Sequence, residues 1–258
     1  MRTSRVRTLA RYIDKQGQVI GGLFPAILEK PKGSRVHALR VATRRLRASL
    51  WLLRHSEPQL KFSKFKKKLR SIGRIAGELR ALDVAVGDAE KFEIKHSSLK
   101  KLRKKTRKKF IVVLKEFNIE KMLSEIDKVA SDVAEAPDFD FARALAGLRR
   151  RLMPLRYGHT SLKRLHQLRI EVKKTRYVLE ALGRPVHPLR VFQGWLGRVH
   201  DIEVLEDRAL SNSRTQRDRA ECLRKSNKLA GPALRFAFQQ LADRRSHHVP
   251  TKTQGGIK

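Results

Sequence analysis

A twelve-residue segment of this chain occurs twice. Residues 36–47, VHALRVATRRLR, return 129 residues later as residues 165–176, LHQLRIEVKKTR. Each copy carries a His followed by cations at +3, +7, +8 and +10. At 3.6 residues per turn, the His and the +3, +7 and +10 cations fall within about 80° of arc. His37, Arg40, Arg44 and Arg47 therefore form one helical stripe, and His166, Arg169, Lys173 and Arg176 form a second. Arg45 and Lys174 flank them at the +8 position. A row of four cations repels itself, so two matched rows imply an anion lying along both. Leu39, Ala42, Leu46, Leu50 and Leu53 occupy the opposite side of the first helix, and Leu168, Val172, Thr175 and Leu179 that of the second. This is the amphipathic α-helical period. Ser34 and Ser161 stand where N-caps are expected.

The rest of the chain supports an all-α reading. No alternating strand pattern of useful length is visible. A helix and turn are expected over residues 5–29, interrupted by Gly21-Gly22 and Pro25. The first His helix spans about 34–55. The helix that follows Pro58 has Phe65, Leu69, Ile72, Ala76 and Leu79 as its apolar seam, with Lys64, Lys67, Arg70 and Arg74 on another face. No acid occurs from Pro58 to Gly77. Residues 100–109, KKLRKKTRKK, hold eight cations in ten positions, and residues 117–140 then reverse the sign. A helix to about Met153, a linker over 154–160 and the second His helix (162–183) come next. A helix after Pro185 or Pro188 has Leu189, Phe192, Leu196, Val199 and Ile202 as its seam and Arg190 among its cations. Two final helices are expected over roughly 214–245. Two units at so long a period suggest a duplicated domain. The expected organisation is one domain over 5–245, with halves of about 5–136 and 139–245 and a flexible tail at 246–258.

Composition bounds the partners. The chain has 258 residues, 60 Lys+Arg against 25 Asp+Glu, a formal charge of +35 and a pI near 11.3. Such charge calls for a polyanion: nucleic acid, a phosphate polymer or anionic lipid. Aromatics at 6% count against a stacking platform for single strands. The single Cys222 excludes an internal disulfide and a Cys-based zinc site. No run is long and apolar enough to cross a bilayer, and no membrane partner is expected. No Walker A loop, HExxH motif or carboxylate cluster for Mg²⁺ is visible, so neither a cofactor nor a metal is expected. A cation run is ordinarily a solvated helix face. Recurrence with matched His spacing favours a site for the stripes, whereas the 100–109 run reads as exposed surface. Tyr177 either donates its hydroxyl to a phosphate or is buried against Ile170, and Glu180 is placed to pair with Arg176.

The two His helices resemble the CHAD family, the conserved histidine α-helical domain. The match rests on VHxLRVxxRRLR at 36–47 and LHxLRxxVKKxRYxxE at 165–180. Downstream, GELRALDV at 77–84 and LGRVHD at 196–201 look like the family's Gly-x-x-Arg/Asn-Asp segments, with Ala81 and His200 as departures. The resemblance implies two helical bundles related by a pseudo-two-fold axis around a central basic channel. It implies non-catalytic binding of inorganic polyphosphate, and it adds Arg80 to the stripes. The string EKFEIK at 90–95 has the wrong Glu spacing for the triphosphate-tunnel domain that many relatives carry, so the stand-alone type is the expectation. The expected polyphosphate-contacting set is His37, Arg40, Arg44, Arg45, Arg47, Lys67, Arg70, Arg74, Arg80, His166, Arg169, Lys173, Lys174, Arg176, Tyr177 and Arg190. Non-specific nucleic-acid binding is the rival reading, and phosphoryl transfer through His37 or His166 is a second. A cytoplasmic location, with association with polyphosphate granules, is the matching expectation. Oligomeric state is not legible.

Overall fold

In a computed structural model, which describes residues 2–57, 63–136, 139–156, 161–208 and 210–242, every regular element is helical. The order is α1 (Arg2–Glu29), α2 (Gly33–Ser56), α3 (Ser63–Lys91), α4 (Ser97–Lys115), α5 (Ile119–Glu135), α6 (Phe141–Leu152), a 3-10 turn (Met153–Leu155), α7 (Leu162–Ala181), α8 (His187–Glu206) and α9 (Ser213–Leu241). The apolar periodicities place these helices. All five expected seam positions of α2, of α3 and of α8 are buried, as are the four of α7. One core runs from Val6 in α1 to Leu241 in α9. A smaller one, with Leu82, Ala85, Val86, Ala89, Phe92, Leu99 and Leu205, closes the junction of α3, α4 and α8.

Three local expectations are corrected. The N-terminal segment is one helix that runs through Gly21, Gly22 and Pro25. Gly17 and Gly21 serve packing rather than a break: a Cβ on Gly17 would lie 2.8 Å from Ile126 Cγ2, and one on Gly21 3.2 Å from Leu123 Cδ1. They let α1 approach α5, whose apolar face of Met122, Ile126, Val129 and Val133 is buried. The C-terminal region is likewise one helix, with Pro232 inside it, started by an Asn212–Thr215 capping box. Finally, Ser34 does not cap α2. The helix begins at Gly33, and Lys32 makes no side-chain cap bond. An ideal Cβ on Gly33 would sit 3.1 Å from Asp83 Oδ2 of α3. A carboxylate from another helix thus lies at the positive end of α2, where it favours the helix dipole. Ser161 caps α7, accepting from the Arg164 N–H at 3.3 Å. The tail at 246–258 lies outside the described residues, as does Pro137-Asp138, the expected boundary between halves.

The packing that matters for function is a closed ring. α2 packs on α3, α3 on α8, α8 on α7 and α7 back on α2. Where α2 crosses α7, two side-chain pairs bridge the helices: Arg45 reaches Glu180 at 3.4 Å, and Lys174 lies over the Trp51 ring at 3.8 Å. Lys174 is the repeat counterpart of Arg45, and Glu180 that of Trp51, so each bridge occupies the place of the other when the helices are exchanged. No helix among the described residues is long and apolar enough to cross a membrane.

Because the α1–α5 crossing has no space for a methyl group at residue 17, Gly17→Ala should destabilise the protein by about 1–3 kcal/mol. Urea denaturation followed by circular dichroism measures it. Gly22, whose Cβ would meet nothing within 4 Å, is the control, and Gly22→Ala should leave stability equal or higher.

Candidate functional site: a cationic furrow between four helices

The inner faces of α2, α3, α7 and α8 enclose a cavity of about 770 Å³. α2 contributes His37, Arg40, Arg44 and Arg47; α3 contributes Arg70, Arg74 and Arg80; α7 contributes Arg169, Lys173, Arg176 and Tyr177. The fourth wall differs: α8 brings Gln193, Gly194, Gly197, Arg198, His200 and Asp201. Small residues keep the furrow open. Gly73 and Gly77 let the Arg47 and Arg40 guanidinium groups lie against α3, at 3.8 and 3.7 Å from an ideal Cβ. Gly194 and Gly197 meet nothing within 4 Å.

The cations crowd one another. Burial pushes the Lys173 ammonium down to about 7, reinforced by Arg169, Arg44 and Arg40. Arg40 falls to about 10 by burial and by the charges of Arg44 and Arg80. Arg47 and Arg169 are lowered too, mainly by burial, then by Arg44 in each case together with Arg70 at Arg47. His200 drops to about 4, through burial and then Arg169 and His166. His37 and His166 are depressed below the ordinary imidazole range by burial and neighbouring cations. These shifts come from removing charge from water and from like charges held close. The Nε atoms of Arg40, Arg47 and Arg169 are buried without an acceptor in the protein. Such donors ordinarily find partners. Asp201 is the furrow's own carboxylate, and burial and Asp88 raise it above the usual range.

Of the sixteen residues expected from sequence, eleven line the furrow: His37, Arg40, Arg44, Arg47, Arg70, Arg74, Arg80, Arg169, Lys173, Arg176 and Tyr177. Five do not. Arg45 points to the α2–α7 crossing and pairs with Glu180. Lys174 sits on Trp51. The +8 position of each stripe is about 80° from the His by helical geometry, on the side away from the other cations, which turns both toward that crossing. Lys67 shares the face of Arg70 and Arg74 but lies a turn before Arg70, where it is exposed and outside the furrow's lining. Arg190 is exposed in the first turn of α8, beyond the furrow's end. His166 is exposed and rests edge-on against His200, with ring centroids 5.6 Å apart, so it meets the site through that residue. Glu180 does pair with Arg176, and it also takes the Tyr12 hydroxyl at 3.4 Å. Tyr177 is buried, and Arg176 stacks on its ring at 4.1 Å; Ile170 is exposed.

The α8 wall was left out of the expected set, although the 196–201 segment quoted from sequence holds Gly197, Arg198, His200 and Asp201. Arg198 is a furrow residue whose charge is already matched: it donates to Asp88, and to Asp218 at 2.7 Å. Those bonds raise its pKa overall despite burial. The paired glycines were the available signal, since Gly194 and Gly197 line the furrow as Gly73 and Gly77 do. Among the described residues no group of three or more His, Cys, Asp or Glu could hold a metal.

The CHAD domain family model matches residues 11–208. No curated protein matches the chain. Two solved structures have a similar fold. The CHAD domain from the plant Ricinus communis is 18% identical, with a TM-score of 0.61, over 93% of this chain and 92% of that one. PptA from Streptomyces chartreusis is 17% identical, with a TM-score of 0.53, over 92% of this chain and 98% of that one.

A lysine held at about 7 in the fold, against an ordinary value near 10.4, makes stability pH-dependent. The folded state binds fewer protons than the unfolded one between these values, so stability should rise as pH goes from about 7 to about 10. Thermal unfolding across that range checks it, and Lys173→Met should flatten the rise. Below pH 7 Lys173 is protonated in both states and contributes no slope.

Proposed function

The chain belongs to the CHAD family, and we propose on that footing that its four-helix furrow binds inorganic polyphosphate without turning it over. The observation that carries the reading is the convergence of Arg40 and Arg44 from one repeat with Arg169 and Lys173 from the other. These cations come from two crossing walls, α2 and α7, and lie close enough to depress one another. A phosphate chain between them removes that repulsion and gives the buried guanidinium donors their acceptors. Each charge-assisted hydrogen bond adds about 1.5–3 kcal/mol net. Arginine forks take paired phosphate oxygens, while Lys173 acts as a point charge. The mixture suits a flexible polymer better than a ligand of fixed shape. His37 joins as a donor once an anion raises its pKa, and His166 stands behind His200 at the furrow's edge. Among the described residues no carboxylate bonds either ring, which is why neither is assigned as a nucleophile.

Nucleic acid is the second reading, and the observation that favours it is α4. Lys100, Lys101, Lys104, Lys105, Lys108 and Lys109 are exposed along it. A duplex fits such a face rather than a furrow only a few side chains wide. Both modes release counterions and weaken with salt.

Replacing Arg40, Arg44, Arg169 and Lys173 together with Ala should weaken polyphosphate binding by orders of magnitude while helicity is retained. Replacing Lys104, Lys105, Arg107 and Lys108 with Gln should impair duplex DNA binding more than polyphosphate binding. Fluorescence competition at near-physiological salt, with free phosphate followed in parallel, reads both. Equal loss of the two ligands in the furrow variant, or phosphate release beyond stoichiometry, contradicts the proposal.

A further inference from the structure

Beyond the furrow's Arg47–Arg70 end the cation rows do not stop. On α2, Trp51 lies one turn after Arg47, followed by Arg54 and His55; on α3, Lys66 lies one turn before Arg70. Residues four apart on a helix share a face. At this level α7 adds Lys174, whose ammonium rests on the Trp51 ring at 3.8 Å. Trp51 in turn stacks on His55, with ring centroids 4.0 Å apart, and the His55 ring is fixed by its Nδ1 at 2.8 Å from the Trp51 carbonyl oxygen. α6 adds Arg151, held at 3.5 Å from the buried Glu171. Lys174 lies on the Trp51 ring, Arg151 and Lys66 lie near enough to Lys174 to lower it, and Arg54 and Arg151 do the same to His55, whose ring stacks on Trp51; four cations from four helices thus gather here with one carboxylate, Glu171, among them. Neither cation–π contact nor the single carboxylate neutralises this group. Burial, then Arg151, lowers Lys174 to about 8, with Lys66 contributing and Glu171 opposing.

We propose that this cluster, Arg54, Lys66, Arg151 and Lys174 around Trp51, is an exit site that holds the segment of polyphosphate emerging from the furrow. It rests on the furrow reading and adds a property to it: selection for chain length. From His37 to Arg47 the α2 stripe spans about 15 Å, and carrying it on to Arg54 adds about 10 Å more. A chain too short to leave the furrow gains nothing from the second site. A longer chain engages it as an intramolecular step, which multiplies affinity without a new encounter. The Trp51 ring keeps the Lys174 ammonium at the surface of the track rather than letting it fold back onto Glu171.

The test compares tripolyphosphate with a long-chain polyphosphate by calorimetry. Wild-type protein should bind the long chain at least ten-fold more tightly per molecule. In the Lys66→Gln, Arg151→Gln, Lys174→Gln variant the long-chain affinity should fall about ten-fold, with tripolyphosphate affinity unchanged. As a second reading that needs no charge removal, Trp195→Phe leaves Trp51 as the sole tryptophan. Its fluorescence should change with the long chain and stay constant with tripolyphosphate. A long-chain affinity unaltered in the triple variant overturns the exit site. So does equal loss for both lengths, or a Trp51 signal identical for both. Failure of the wild type to bind either length overturns the furrow reading itself and the exit site with it.

Discussion

Like charges held at close range by an apolar scaffold set the character of this protein. Arg40, Arg44, Arg169 and Lys173 have few acids nearby, and burial denies them the water that would screen them. The helices keep them there because the opposite faces carry Leu39, Ala42 and Leu46 on α2 and Leu168, Val172 and Leu179 on α7, all buried in one core. The apolar faces fix the helix orientations, and the cations follow whether or not they repel. A pocket in this state is preorganised for an anion: the cost of gathering charge is met during folding, so binding relieves repulsion instead of ordering side chains.

The two repeats do not make equal walls. α3 carries Arg70, Arg74 and Arg80, while the facing α8 carries Gln193, Gly194 and His200, and its Arg198 is committed to Asp88 and Asp218. The furrow's charge is therefore greatest on the α2–α3 side, and an anion chain is drawn against those helices. Carboxylates gather at the α8 side, where Asp88, Asp201 and Glu203 stand near the ends of α3 and α8. The field along the furrow has a direction, set by which repeat kept its arginines. The α2–α7 crossing is asymmetric in chemistry in the same way, with an ion pair at one bridge and a cation on an aromatic ring at the other.

Much of this was legible in the sequence, for identifiable reasons. Helix type, seams and the inward stripes follow from a 3.6-residue period that single residues express directly, and eleven of the expected site residues face the furrow. What the sequence hid depends on neighbours far along the chain. Gly21-Gly22 reads as a break until Leu123 of α5 is placed beside it. Ser34 reads as a cap until Asp83 reaches the start of α2. Arg45 and Lys174, which flank the stripes, read as site residues because a repeat shows which positions recur, not which face of the helix meets another helix. The glycines of α8 were not counted with the site because the furrow needs empty space as much as charge, and empty space leaves only small residues as its trace.

The most direct measurement is a crystal structure of the protein with tripolyphosphate bound. Phosphate groups should lie between α2 and α7, within hydrogen-bond distance of Arg40, Arg44, Arg169 and Lys173 and nearer to α3 than to α8. Phosphates found only on the exposed face of α4, with the furrow cations unmoved and uncontacted, would contradict the central claim.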